Sequence, residues 1–292
     1  MHTGTIVKGI GGFYYVDIND KIIECKARGH FRNKKLSPCV GDKVEITLDG
    51  DGKGTIDVIN ERKNIFIRPP VSNIDEMIIV ASVTNPSPDL TFIDKMLVIA
   101  QSSNVEVKIC FNKSDLDDGN VNSLVKMYTD AGYDAFTTST VEDIGIDIIR
   151  NSIKGKTVAF SGFSGVGKSS LLNAVLDYDV MQTGEVSERL KRGKHTTRHV
   201  ELISYNGGYI VDTPGFSMLD FPEDITKDLL KDYFPEFTKY EDECKFRNCN
   251  HMGNSSVCAV CRACEDNKIS LSRFENYKNF YENLMQRKEW KK

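Results

Sequence analysis

The run Gly162-Phe163-Ser164-Gly165-Val166-Gly167-Lys168-Ser169-Ser170 constrains this chain more than any other. It fits G-x-x-x-x-G-K-S. The apolar segment Val158-Ala159-Phe160 precedes it, and Leu171-Leu172-Asn173-Ala174-Val175-Leu176, a helix-like run, follows. Strand, glycine loop and helix in that order form a phosphate cradle. The glycines let backbone N–H groups wrap the phosphates, and the helix N-terminus adds positive potential. Lys168 is expected to reach the outer phosphates, and the Ser169 hydroxyl to ligate Mg²⁺.

The base is specified elsewhere. Asn112-Lys113-Ser114-Asp115 follows the apolar strand Val107–Phe111 and fits N-K-x-D. A carboxylate at Asp115 suits the N1–H and exocyclic amine of guanine. Adenine offers neither in that geometry, and an unpaired buried acceptor costs about 1–3 kcal/mol, which disfavours an ATPase. Asn112 is expected to brace the loop and the base edge, with the Lys113 stem packed on the ring. Ser139, in the Thr138-Ser139 pair, sits where a short loop faces guanine O6. Asp212-Thr213-Pro214-Gly215 follows the strand Tyr209-Ile210-Val211 and fits D-x-x-G. Asp212 then serves the Mg²⁺ water shell, and the Gly215 amide senses the γ-phosphate.

Between these motifs, residues 177–199 form a long polar segment, the expected switch I. We place Thr196, ahead of Thr197, as the threonine that completes the Mg²⁺ shell. Ras-type enzymes carry a water-orienting glutamine just after D-x-x-G; Phe216 stands there instead. Intrinsic hydrolysis is therefore expected to be slow. His195 is a candidate for positioning the water, beside Lys168 and Thr196 in the catalytic set; the alternative for His195 is a loop histidine facing solvent or RNA.

The motif order is the diagnostic feature. P-loop GTPases ordinarily run P-loop, switch threonine, D-x-x-G, N-K-x-D and then the loop facing O6. Here the last two stand first, a circular permutation that a fold tolerates if its old termini are joined. Switch II then leads directly into the C-terminal region.

The flanks have other patterns. Residues 1–66 read as five short β-branched or aromatic strands divided by turns, a small β-barrel with the OB-fold as leading candidate. Its basic stretch carries Arg28, Arg32, Lys34 and Lys35 around Phe31. That stretch is either a solvated loop or an RNA-contacting one, with Phe31 for stacking. Arg68-Pro69-Pro70 reads as a linker. Residues 67–222 alternate apolar runs with helical patterns, as an α/β domain with a parallel sheet does. The net charge of -4 gives no general affinity for nucleic acid. No apolar run nears the roughly 20 residues that span a bilayer, and Met1-His2-Thr3-Gly4 opens no signal peptide. A cytoplasmic chain with no membrane contact is expected.

Residues 223–292 turn helical and cysteine-rich. Cys244, Cys249, His251 and Cys258 supply four soft or borderline donors, suited to one structural Zn²⁺. Cys258-x2-Cys261-x2-Cys264 also resembles part of an iron–sulfur ligand run, and Cys261 competes with His251 or Cys258 as a zinc ligand. The tail from Leu271 has helical spacing and a basic end.

Taken together, N-K-S-D at 112–115, G-F-S-G-V-G-K-S-S at 162–170, G-K-H-T-T-R at 193–198, D-T-P-G-F at 212–216 and C-x4-C-x-H at 244–251 resemble the RsgA-type GTPases of bacteria, over nearly the whole chain. The resemblance implies an OB-fold, a permuted P-loop GTPase domain and a helical zinc-binding domain. It also implies GTP hydrolysis stimulated by the 30S ribosomal subunit, late 30S maturation and contact with 16S rRNA. GTP and GDP are the expected ligands, and a monomer the expected state. The wider spacing from His251 to Cys258, with Cys261 and Cys264 as additional thiols, leaves the fourth metal ligand open.

Overall fold

The computed structural model describes residues 1–29, 31, 37–67, 69–183, 200–212 and 220–287. It opens with strands β1 (His2–Ile10), β2 (Phe13–Ile18), β3 (Lys21–Ala27), β4 (Lys43–Leu48) and β5 (Gly54–Ile59). Their pairing order is β1-β2-β3-β5-β4, and β4 pairs back to β1. Only β3 and β5 run parallel. That closed five-stranded order is the OB barrel the strand spacing predicts. Period-two patterning turns Ile6, Val16, Ile23, Val44, Ile46 and Ile56 inward, and closure leaves no unpaired edge. Phe31 is also inside, 5% exposed in the barrel core, so it offers no face for stacking. Its amide bonds the Arg28 carbonyl (3.2 Å), and this turn folds the ring back under the barrel.

Pro69 and Pro70, read from sequence as part of a linker, belong to a hairpin. Strands β6 (Ile65–Ile67) and β7 (Pro70–Ser72) form it, antiparallel and astride the 66/67 boundary. Pro70 stands at the first position of its strand, where its missing N–H costs little. Beneath the hairpin, Asp42 is fully buried and accepts from Arg62 Nε (2.6 Å), Arg62 Nη2 (2.7 Å), Ser72 Oγ (2.6 Å) and the Cys39 amide (2.7 Å). This network ties the barrel to the segment that follows it.

The central sheet runs β10 (Asp134–Thr138), β9 (Glu106–Asn112), β8 (Glu76–Ser82), β11 (Thr157–Ser161), β13 (Gly208–Asp212), β12 (Glu201–Tyr205). All its pairs are parallel except β12–β13. Strand β8 is buried at every position, as a central parallel strand must be. Met77, Ile79 and Ala81 face helices α1 (Leu90–Ser102) and α2 (Val121–Asp130); Ile78 and Val80 face α3 (Ile146–Ile153) and α4 (Lys168–Thr183). The barrel joins this sheet where Lys8 of β1 pairs with Glu201 of β12, their side chains 2.9 Å apart. Tyr209 Oη adds a bond to Asp17 (3.0 Å).

The C-terminal region is made of short 3₁₀ turns, α5 (Ala259–Glu265) and α6 (Leu271–Gln286). Its aromatic core, with Phe234, Phe237, Phe274 and Tyr277, includes Val98 of α1. At that junction Arg273 is 1% exposed. It donates to Glu236 (2.6 and 3.1 Å) and to Asp94, among the rings of Tyr128, Tyr133 and Phe234. Burial opposes its charge, and the two carboxylates more than offset that. Removing one partner of a buried ion pair strands the other charge, at a cost of about 3–5 kcal/mol. Arg273→Ala is therefore expected to destabilise the protein by about that amount, measured by urea titration of tyrosine fluorescence.

Candidate functional site

Parallel strands β9, β10, β11 and β13 end at one edge of the sheet, and each delivers a motif there: Asn112, Thr138, the glycine loop and Asp212. Ligands of open α/β sheets bind outside the carboxyl ends of the strands. The permuted order thus converges on one site.

In the glycine loop, backbone crowding dictates residue type. Gly162 has φ 149°, and a Cβ there would lie 2.3 Å from the Val80 carbonyl oxygen. Gly167 has φ 96°, and a Cβ there would meet Asn112 Nδ2 at 2.3 Å. Val166 is buried beneath the loop, while Ser164, Gly165, Ser169 and Ser170 are exposed on it. Lys168 Nζ donates to the carbonyls of Gly162 (2.6 Å) and Phe163 (2.7 Å), and burial lowers its pKa. A partly desolvated ammonium over a glycine loop favours polyanionic phosphate as its counter-charge. Ser169 stands in the first turn of α4, so its hydroxyl is at the open mouth where a Mg²⁺ on those phosphates would need a ligand.

The loop after β9 braces the glycine loop. Asn112, 2% exposed, donates through Nδ2 to the Val166 carbonyl (2.9 Å) and accepts at Oδ1 from Thr138 Oγ1 (3.0 Å). Lys113 takes the left-handed conformation (φ 63°), and its amine donates to the carbonyls of Gly165 (2.8 Å) and Asn85 (2.5 Å). Ser114 and Asp115 form the 3₁₀ turn that follows. Ser139 Oγ donates to Asp115 Oδ1 (2.6 Å) and accepts from the amides of Val141 and Glu142. Its side chain therefore orients the carboxylate. Thr138, which sequence reasoning treated only as the neighbour of Ser139, holds Asn112; their registry across β10–β9 is the signal that could have found it. His195, Thr196 and Gly215 lie outside the described residues, and of Asp212 only the backbone, at the end of β13, is described.

Far along the chain, the donor atoms of Cys244, Cys249, His251 and Cys258 all lie within 4.8 Å of one another. Cys244 Sγ is 4.0 Å from Cys258 Sγ and 3.8 Å from His251 Nδ1, and Cys258 Sγ is 3.5 Å from that nitrogen. A tetrahedron with metal–sulfur bonds of about 2.3 Å has edges of roughly 3.8 Å, so the set fits a metal ion. Amides of Ala259 and Cys261 donate to the sulfurs of Cys244 and Cys258 (3.4 Å each), as thiolates require. Burial pushes the Cys258 thiol up to about 12, so thiolates here need a cation to balance them. Cys261 lies beside the Cys258 side chain but outside the four convergent donors, its Sγ on the carbonyls of His251 (3.4 Å) and Gly253 (3.5 Å), and Cys264 is buried in the aromatic core. The iron–sulfur run suggested by Cys258, Cys261 and Cys264 is therefore not assembled.

The RsgA GTPase family profile matches residues 59–222, and the RsgA N-terminal domain profile residues 3–56. A relative from Clostridium novyi, a small ribosomal subunit biogenesis GTPase RsgA, is 47% identical over 98% of this chain and 99% of its own. One of the same name from Alkaliphilus metalliredigens is 46% identical over 95% and 96%. This chain belongs to the RsgA family. The crystal structure of YloQ, a circularly permuted GTPase, superposes with a TM-score of 0.83 at 35% identity, covering 99% of this chain and 96% of that one. YjeQ from Thermotoga maritima gives 0.85 at 36% identity, covering 98% and 99%. An RsgA-family chain is a GTP-hydrolysing enzyme, and the permuted motif order is that of its structural neighbours.

Two outcomes follow from this geometry. Asp115→Asn should weaken GTP binding by about 10- to 150-fold, the worth of a charge-assisted hydrogen bond, and shift preference toward xanthine nucleotides in competition binding. Cys258→Ser should lower bound metal, measured by elemental analysis, from one equivalent toward none; Cys264→Ser should leave it unchanged.

Proposed function

We propose that this GTPase is an assembly factor for late maturation of the 30S ribosomal subunit. In this reading it contacts 16S rRNA and hydrolyses GTP when the subunit stimulates it. The observation that carries the proposal is near-full-length similarity, at 47% identity, to a protein named for small-subunit biogenesis. Barrel, nucleotide site and metal cluster all lie within the aligned span.

We assign residues 1–66 to the RNA-binding barrel, 67–222 to the permuted GTPase domain and 223–292 to the metal-binding domain. Guanine is read by Asp115, held by Ser139, while Asn112, Lys113 and Ser114 position that loop. Residues 162–170 wrap the phosphates, with Lys168 on the outer oxygens. Ser169 and Thr196 would hold Mg²⁺, with Asp212 behind its water shell, and the bound ion would supply neutralisation of charge at the transferring phosphoryl group. Gly215 senses that group. His195 orients the attacking water in the position that Phe216 cannot serve. The metal is one structural Zn²⁺ on Cys244, Cys249, His251 and Cys258; three thiolates and an imidazole are a closed zinc donor set. Arg28, Arg32, Lys34 and Lys35 face RNA phosphates. Arg28 Nε pairs with Asp57 (2.5 Å) yet stays more than half exposed, which leaves guanidinium surface for a second contact. Arg32, Lys34 and Lys35 lie outside the described residues. The protein works as a cytoplasmic monomer, and no described helix is long and apolar enough to cross a membrane.

Measuring GTP turnover with and without 30S particles tests this. Stimulation in trans can reach about 10³–10⁵ for phosphoryl transfer, so a rise on the order of 100-fold or more is expected. Unchanged turnover would refute the proposal. His195→Ala should remove most of the stimulated rate and little GTP affinity.

A further inference from the structure

The first turns of α1 touch three parts of the molecule at once. Toward the nucleotide, the Phe92 ring lies 4.4 Å, centroid to centroid, from that of Phe163 in the glycine loop. The Phe163 carbonyl is one of the two acceptors that hold the Lys168 amine. Toward the metal-binding domain, Thr91 Oγ1 donates to Asn276 Oδ1 (2.9 Å), and Asn276 Nδ2 donates to Asp94 Oδ2 (2.7 Å). Asp94 also pairs with Arg273, and both are 1% exposed. Toward the chain leaving D-T-P-G, Lys95 pairs with Asp220 (2.9 Å) and lies over the Phe221 ring.

These contacts all fall within residues 91–95 of one helix. Thr91 and Asp94 seat the metal-binding domain, and Phe92 between them rests on the glycine loop. A buried charge network packed against aromatic rings does not deform continuously; it shifts as a unit. A change in how α6 sits on α1 must therefore move the Phe92 ring. The geometry points to Phe92 as a positioning residue: through Phe163 it passes the seating of the metal-binding domain to the glycine loop and, by reciprocity of linkage, passes nucleotide state back to that domain. This route runs through side-chain packing on α1 and not through the covalent chain at residues 213–222, although Asp220 and Phe221 rest on the same helix through Lys95. It rests on the reading of the chain as a guanine-nucleotide enzyme.

Amide exchange of residues 271–286 in the full-length protein, with GDP and with a non-hydrolysable GTP analogue, tests the inference. In the wild type, protection should differ between the two states by about fivefold or more, the lower end of usual coupling. In Phe92→Ala the two states should become equal while α6 stays folded, and Phe92→Leu should restore part of the difference. Asn276→Ala cuts the same link from the other side, so the double variant should lose no more than either single one. Retention of the wild-type difference in Phe92→Ala, or additive losses in the double variant, overturns the inference and assigns coupling to residues 213–222. Equal protection in a wild type that binds both nucleotides also overturns it. A wild type that binds neither nucleotide overturns the GTPase reading instead. Should Phe92→Ala fail to fold, Phe92→Leu with Asn276→Ala completes the same cycle.

Discussion

The bond from Asn112 to the Val166 carbonyl, 2.9 Å across the site, is the contact on which the rest depends. Base loop and phosphate loop come from different strands, with β8 between them, and arrive in reversed sequence order. Parallel pairing brings both to one edge but does not fix their separation. Asn112 fixes it from one side, and the absence of a Cβ at Gly167 permits the approach from the other. Lys113 adds a second tie, and Thr138 and Ser139 in turn hold Asn112 and Asp115. The two loops thereby become one braced unit, which the proposed reading of guanine by Asp115 requires.

The C-terminal domain solves a different problem. Apart from α6 its elements are single turns or two-turn helices, so its core must be held by long-range ties. Four convergent donors clamp residues 244–258, and Arg273 with two carboxylates fixes α6 against α1. A buried charge triad is a poor source of net stability but a strict specifier of geometry, since no other seating satisfies all its partners.

Where chemistry dictates both residue type and spacing, the site was legible. Backbone approach to phosphates demands glycines at 162 and 167, and soft-donor coordination demands the thiols and imidazole at 244–258. The barrel strands were legible because closure imposes period-two patterning. Other elements carried no such signature. Strand β12 (Glu201–Tyr205) is short and mostly half-exposed, so its alternation is faint. Helix α3 is rich in isoleucine, whose branched side chain suits strands as well. The prolines at 69 and 70 read as punctuation, whereas Pro70 starts a strand. Phe31 sits amid basic residues yet packs inward. Arg273 and Asp94 look like ordinary surface charges, since nothing local marks a pairing across 179 positions.

The order of strands in the central sheet also bears on how the protein is made. Strand β8 is the middle of that sheet and the first of its strands to be synthesised; β9 and β10 then cover one side of it. The opposite side waits for β11, roughly 80 residues later, which at about 5–20 residues per second is an interval of several seconds. During that interval a strand whose centre, Met77–Ala81, is wholly apolar has an open edge, the kind that recruits other chains. A nascent molecule of this design is therefore most vulnerable to aggregation before its phosphate loop exists, and swift emergence of residues 157–161 is what closes that window.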